Sequence, residues 1–292
     1  MTISNVVSQA SRRSPSIGKT GRAEGSSPYG DGAGVTTSVR CILAITAAGF
    51  LSALPASAAV STVQLQSPPP VAKEAVAMPL IANPSDDKER RINVALKRLD
   101  ANLRKAIRDC KGHDNGPGDW VRKVEPTMTG PGYLSFVIRD TSFCGGAYPS
   151  IGTMAIVYDL RTGTPVDWAR LLPPSLTGQV KLATGIDGTR MATLASPRLY
   201  SLYLSGYDRA IQMVGNDIPA EDLASCKEAV READNPPMMV WLDAKSGGVA
   251  VQFDLPHAVQ ACAVPVLVPL AVLRADGANA ALLDDIDAAH RR

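Results

Sequence analysis

The sequence predicts an α+β protein in which antiparallel β-meanders pack with helices, two related halves making one compact unit. Three observations carry this prediction. Several segments repeat apolar residues at three- and four-residue steps, and others alternate or run apolar between glycine turns. Four cysteines recur in one plan, a helix bearing a cysteine, then a hairpin, then another cysteine.

Residues 1–39, rich in Ser, Gly and Arg without apolar period, read as a disordered leader or a start assigned too far upstream, with Val35 or Val39 as the true initiator. Residues 40–59 read as a secretory signal peptide: Arg40, an apolar run from Cys41 to Leu54, and the small-residue triplet Ala56-Ser57-Ala58. That run is shorter than the roughly 20 residues that cross a bilayer, so no stable membrane span is expected after cleavage. Arg12-Arg13 as a twin-arginine signal is the rival reading, and no apolar segment follows it closely. Five of the 30 basic residues but only two of the 28 acidic ones precede residue 60, leaving a net charge of −1 beyond it. Nothing there argues for a nucleic-acid partner.

Residues 60–84, with five prolines and no sustained period, read as an extended Pro-rich linker. An α+β exported domain is expected over 85–274 and a C-terminal helix over 275–292. Asp86 with Glu89 opens a helix whose stripe is Ile92, Leu96, Leu99, Leu103 and Ile107, ending near Cys110. Its remaining surface is strongly basic, which reads as a solvated face before a docking face for an anionic polymer. Two strands then meet at Gly130-Pro131-Gly132, and "SIGTMAIVYDL" supplies a third, ending at Arg161-Thr162-Gly163. "VDWARLLPP" reads as a short helical turn or strand, stopped by Pro173 and Pro174. "SPRLYSLYLSGYDRAIQMV" and "PAEDLASCKEAVREAD" read as helices, "MMVWLDA", "GVAVQFDL" and "VPVLVPL" as strands, and "ANAALLDDIDAA" as the last helix.

In an oxidising compartment the four cysteines left after Cys41 departs with the leader read as disulfides, with three pairings open. Separations of 34 and 36 residues favour Cys110 with Cys144 and Cys226 with Cys262. The spacing suits no zinc site, and no cofactor is implied. Of the three histidines, His113 sits in a Gly-rich loop and His290 near the end. His257 in "DLPHAVQAC", with Asp254, is the one candidate general base, but no G-x-S-x-G elbow supplies a serine. No residue is assigned as catalytic. Saccharides and peptides dock on aromatic faces, so Tyr148 and Trp168 are binding candidates, Trp168 with a core role as the competing reading.

"YLSFVIRDTSFCGGAYPSIGTMAIVYDLRTGTPVDWARLLP" and the closing "VWLDAKSGGVAVQFDLPHAVQACAVPVLVPLAVL" resemble an exported domain of unknown function that occurs in lysozyme-sensing anti-sigma factors and beside peptidoglycan deacetylase domains. Members commonly carry His in the Gly-Gly-Ala turn where this chain has Tyr148, so no role of that His carries over. The resemblance implies a non-catalytic envelope binding module, its ligand a cell-wall glycan or an envelope protein such as lysozyme. A small hydrolase using His257 is the alternative. Non-reducing peptide mapping is expected to link Cys110 to Cys144 and Cys226 to Cys262; a crossed link would overturn the two-half layout.

Overall fold

A computed structural model describes residues 62–112, 116, 118–214 and 220–292. The expected leader, the signal peptide with Cys41, and His113 lie outside the described residues.

Helix α1, Asp87–Asp109, begins where Asp86 accepts hydrogen bonds from the amides of Lys88 and Glu89, and it buries Ile92, Leu96, Leu99 and Leu103. It lies along one face of a four-stranded antiparallel sheet of β3 (Asp119–Thr129), β4 (Tyr133–Phe143), β5 (Ser150–Asp159) and β6 (Thr164–Pro165), in that order. Leu103 packs there with Ala75, Cys110 and Trp120. Gly163 holds the β5–β6 turn against the start of α1. Its φ is +70°, and a Cβ there would come within 2.6 Å of the Lys88 carbonyl oxygen.

A second antiparallel sheet, β9 (Met239–Asp243), β10 (Gly248–Gln252) and β11 (Val266–Pro269), lies against the other face. Leu242 N–H donates to Ser135 Oγ at 3.2 Å and Ala244 N–H to the Thr127 carbonyl at 2.9 Å. With both faces covered, β4 and β5 are buried almost throughout rather than in alternation. Between the sheets in sequence run α2 (Trp168–Leu171), α3 (Pro174–Thr177), the hairpin β7 (Gln179–Thr184) and β8 (Arg190–Ala195), α4 (Pro197–Val214) and α5 (Ala220–Arg231). A 3₁₀ helix, His257–Cys262, follows β10; α6 (Leu270–Ala275) and α7 (Ala280–His290) close the chain. Three tyrosines tie helix α4 to its surroundings, one to α5 and two to the β10–β11 connection. Tyr200, Tyr203 and Tyr207 donate to the carbonyls of Val230, Val264 and Cys262. Burial pushes the Tyr207 hydroxyl up to about 12, so it stays a donor.

The disulfides join Cys110 to Cys144 and Cys226 to Cys262, with Cα atoms 4.9 and 5.1 Å apart. The first ties the end of α1 to the segment after β4, the second ties α5 to the 3₁₀ helix. Loops of this length stabilise the fold by about 3–4 kcal/mol each in the chain-entropy model. The two halves thus repeat an order of elements but share one core, which α6 and α7 also enter through Leu273, Leu282, Leu283 and Ile286.

The expected linker is corrected from residue 62 onward. β1 (Leu65–Gln66) pairs with β2 (Leu80–Ile81), and Ala75, Ala77, Met78 and Ile81 are buried. The prolines prevent a regular element, yet the backbone finds partners on α1. Asn93 accepts from Ile81 N–H and donates to its carbonyl, and Asp100 accepts from Met78 N–H at 2.9 Å. Glu74 and Val76 bond to both sides of Arg122, covering part of the β3 edge. Met78→Ala is therefore expected to lower stability by about 2–5 kcal/mol in urea unfolding, where a residue of a free linker would change it by only about 0.5 kcal/mol.

Candidate functional site

Strand register brings two opposite charges together in the interior. Arg122 and Asp140 are cross-strand partners on the face toward α1, and both side chains are fully buried. Arg122 Nε donates to Asp140 Oδ1 at 2.7 Å and Nη2 to Asp140 Oδ2 at 2.5 Å; Nη2 also reaches Asp187 Oδ2 at 2.6 Å. Trp120 Nε1 donates to Asp140 Oδ1 at 3.3 Å. Asp187, in the β7–β8 turn, accepts from both the amide and the hydroxyl of Thr189, and Asn102 of α1 donates to that hydroxyl. Burial opposes the charge on Arg122, but the hydrogen bonds and charges of the two aspartates outweigh it and hold its pKa above the ordinary value. Burial likewise pushes the nearby Asp100 carboxyl up, against the Met78 amide and Arg104 and Arg122.

This network fixes the back of a polar cleft of about 540 Å³. Asn102, Lys105 and Asp109 of α1 form one wall, Trp120, Ser142 and Ser150 the sheet side, and Ile186, Asp187 and Gly188 the far wall. The Cys110–Cys144 disulfide lines the same cleft, with Cys110 buried and Cys144 exposed. Lys105 and Asp109 pair at 2.5 Å, and that hydrogen bond draws the Asp109 carboxyl down.

Tyr148 is 71% exposed in the β4–β5 loop, two residues from Ser150 of the cleft. Trp168 does not belong to the site. Only 4% exposed, it is part of the main core, at the start of α2, which Asp167 caps. His257 opens the 3₁₀ helix, and its side chain lies outside the described residues. Gln260 of that helix donates to the Ile151 carbonyl, bringing the segment beside the start of β5. Asp254 is exposed, with its carboxyl pushed up by neighbouring protein bulk. His290 Nδ1 meets the Ala244 carbonyl at 2.8 Å. Among the described residues, no group of three or more His, Cys, Asp or Glu is placed to hold a metal, and no helix is long and apolar enough to cross a membrane.

A second depression, of about 710 Å³, opens on the face carrying β9–β11. Val137, Trp241 and Val266 form its apolar floor, Met213 stands at its rim, and Arg139 and Arg209 supply charge there. Sequence reading anticipated neither the ion network nor this groove.

No family model matches the sequence, and no curated protein matches it. Among solved structures the chain is similar to a DUF3298 family member from Bacteroides fragilis, at 11% identity over 70% of this chain and 75% of that one, with a TM-score of 0.37. It is also similar to a DUF3298 family protein from Pseudomonas aeruginosa, at 13% identity over 64% and 78%, with a TM-score of 0.41.

Arg122→Ala would leave Asp140 and Asp187 buried without their counter-charge, so denaturant unfolding is expected to show a loss of about 3–5 kcal/mol. Arg122→Lys should recover only part of it, since one ammonium lacks the planar fork that spans both carboxylates.

Proposed function

We propose that this protein is an exported, non-catalytic binding module of the bacterial envelope that holds a cell-wall glycan in the cleft beside Cys110–Cys144. The observation that carries the reading is the cleft's chemistry. Asn102, Lys105, Asp109, Ser142 and Ser150 offer donors and acceptors within a volume of about 540 Å³, with Trp120 on the sheet side and Tyr148 on an adjoining loop. Hydroxyl-rich sugars are recognised by such a mixture of polar groups and aromatic faces, and ligand sites commonly span about 300–1,000 Å³. Two disulfides support an oxidising compartment. The resemblance to the exported domain of lysozyme-sensing anti-sigma factors and deacetylase-linked proteins points the same way.

A second reading, an envelope protein such as lysozyme as partner, is favoured by the apolar groove with Trp241, Met213 and Arg209, residue types that anchor protein interfaces.

Titration with soluble peptidoglycan fragments, followed by amide NMR, is expected to perturb Asn102, Lys105, Ser142 and Ser150. Asn102→Ala and Lys105→Ala should each weaken binding about fivefold, the worth of one hydrogen bond. Arg209→Ala in the groove should leave it unchanged. Saturating fragments that move no cleft resonance would overturn the glycan reading, and lysozyme binding lost in Arg209→Glu would establish the second.

A further inference from the structure

Strand β7 is half of a two-stranded sheet, and its burial is unlike that of the other long strands. Five of its six residues are exposed, Val180 at 51% and Leu182 at 63%. Its partner β8 is held on the far side by the Leu194–Met238 bridge, whereas no described residue pairs with the outer edge of β7. Thr193 Oγ1 donates to the Lys181 carbonyl from β8, and Gly185 N–H donates to Thr189. The odd-numbered residues therefore turn their backbone groups toward β8. Because these directions alternate along a strand, Val180, Leu182 and Thr184 aim theirs at the open edge.

The side chains alternate as well. Val180, Leu182 and Thr184 share one face with Ala192, and Lys181 stands on the other. Neither Lys181 nor Arg190, opposite Thr184 at the mouth of the hairpin, has an ion-pair partner among the described residues. An exposed apolar edge is an aggregation liability that one lysine blunts against a second copy, since pairing with itself sets like charges near one another. The same lysine attracts an acidic strand.

We infer that β7 is a docking edge for an extended segment of a protein partner, one that alternates apolar and acidic residues. The segment adds a third strand to the β7–β8 sheet. Its backbone pairs with Val180, Leu182 and Thr184, its apolar side chains cover Val180 and Leu182, and its carboxylates face Lys181. The edge leads into the turn that carries Ile186, Asp187 and Gly188, so the bound strand points toward the wall of the polar cleft. This surface is separate from the glycan site and stands whether or not that reading holds.

The test is an amide NMR titration of the full chain with an acetylated, amidated hexapeptide alternating Val and Glu. Shifts and slowed hydrogen exchange are expected at Val180, Leu182 and Thr184. Lys181→Glu should weaken binding about fivefold or more, and the Val-Lys counterpart peptide should bind correspondingly less. Leu182→Pro removes a donor aimed at the open edge, a place where proline is tolerated, and should abolish binding. Should that variant unfold, the Lys181→Glu comparison still decides. The proposal is overturned if Lys181→Glu and wild type bind equally, if the shifts fall elsewhere, or if the same amides become protected by concentration-dependent self-association without peptide.

Discussion

A guanidinium with no access to water needs its partners placed to within a few tenths of an ångström, and Arg122 imposes that requirement on this fold. Removing such charges from water costs several kcal/mol per ion, and only close geometry with further hydrogen bonds offsets it. Asp140 satisfies the requirement through strand register. Asp187 satisfies it through a turn that tertiary packing must deliver from far along the chain, since 65 residues separate it from Arg122. Thr189 and Asn102 then extend the chain of bonds to α1. One buried ion network thus sets the relative positions of β3, β4, α1 and the β7–β8 turn, which are the walls of the polar cleft.

Irregular segments are anchored by the same logic on a smaller scale. The chain between β1 and β2 has too many prolines for a ladder of its own, so Asn93 and Asp100 of α1 serve its backbone as a neighbouring strand would. The connection from the 3₁₀ helix to β11 is held by the hydroxyls of Tyr203 and Tyr207 on α4. In both places a helix side chain supplies what secondary structure does not, and apolar burial follows.

The cleft, the groove and the open edge inherit their character from these anchors. The cleft is polar because its walls come from the wet side of α1 and from sheet ends, while the groove is apolar because two sheets and α4 meet there without filling the space. Strand β7 keeps an open edge because its hairpin is anchored through β8, by the Leu194–Met238 bridge, and through its turn, by Asp187 and Thr189.

Local chemistry determined much of this by itself. The stripe from Ile92 to Leu103, the cap at Asp86, the glycine turns of the β3–β5 meander and the near-equal cysteine separations are all properties of neighbours in sequence, and they mark out the α+β class, most elements and the disulfide pairs. Tyr148 was legible as an exposed aromatic because a Gly-Gly-Ala-Tyr-Pro loop has nowhere to bury it. What pairs with a distant residue was not legible. β7 gave only a weak signal, because its alternation of Val180 and Leu182 with Gln179 and Lys181 spans too few residues to mark a strand. Residues 60–84 read as a linker, because the partners of this stretch, on α1 and β3, come later in the sequence. Trp168 was open between surface and core until packing placed it inside. Asn102 and Lys105 read as part of a solvated helix face, and only the return of the 185–189 turn converts that face into the wall of a cleft. Arg122 and Asp140 did leave a trace, opposite charges at core-facing positions of consecutive strands, but their burial is affordable only with Asp187, and long-range packing alone brings Asp187 there.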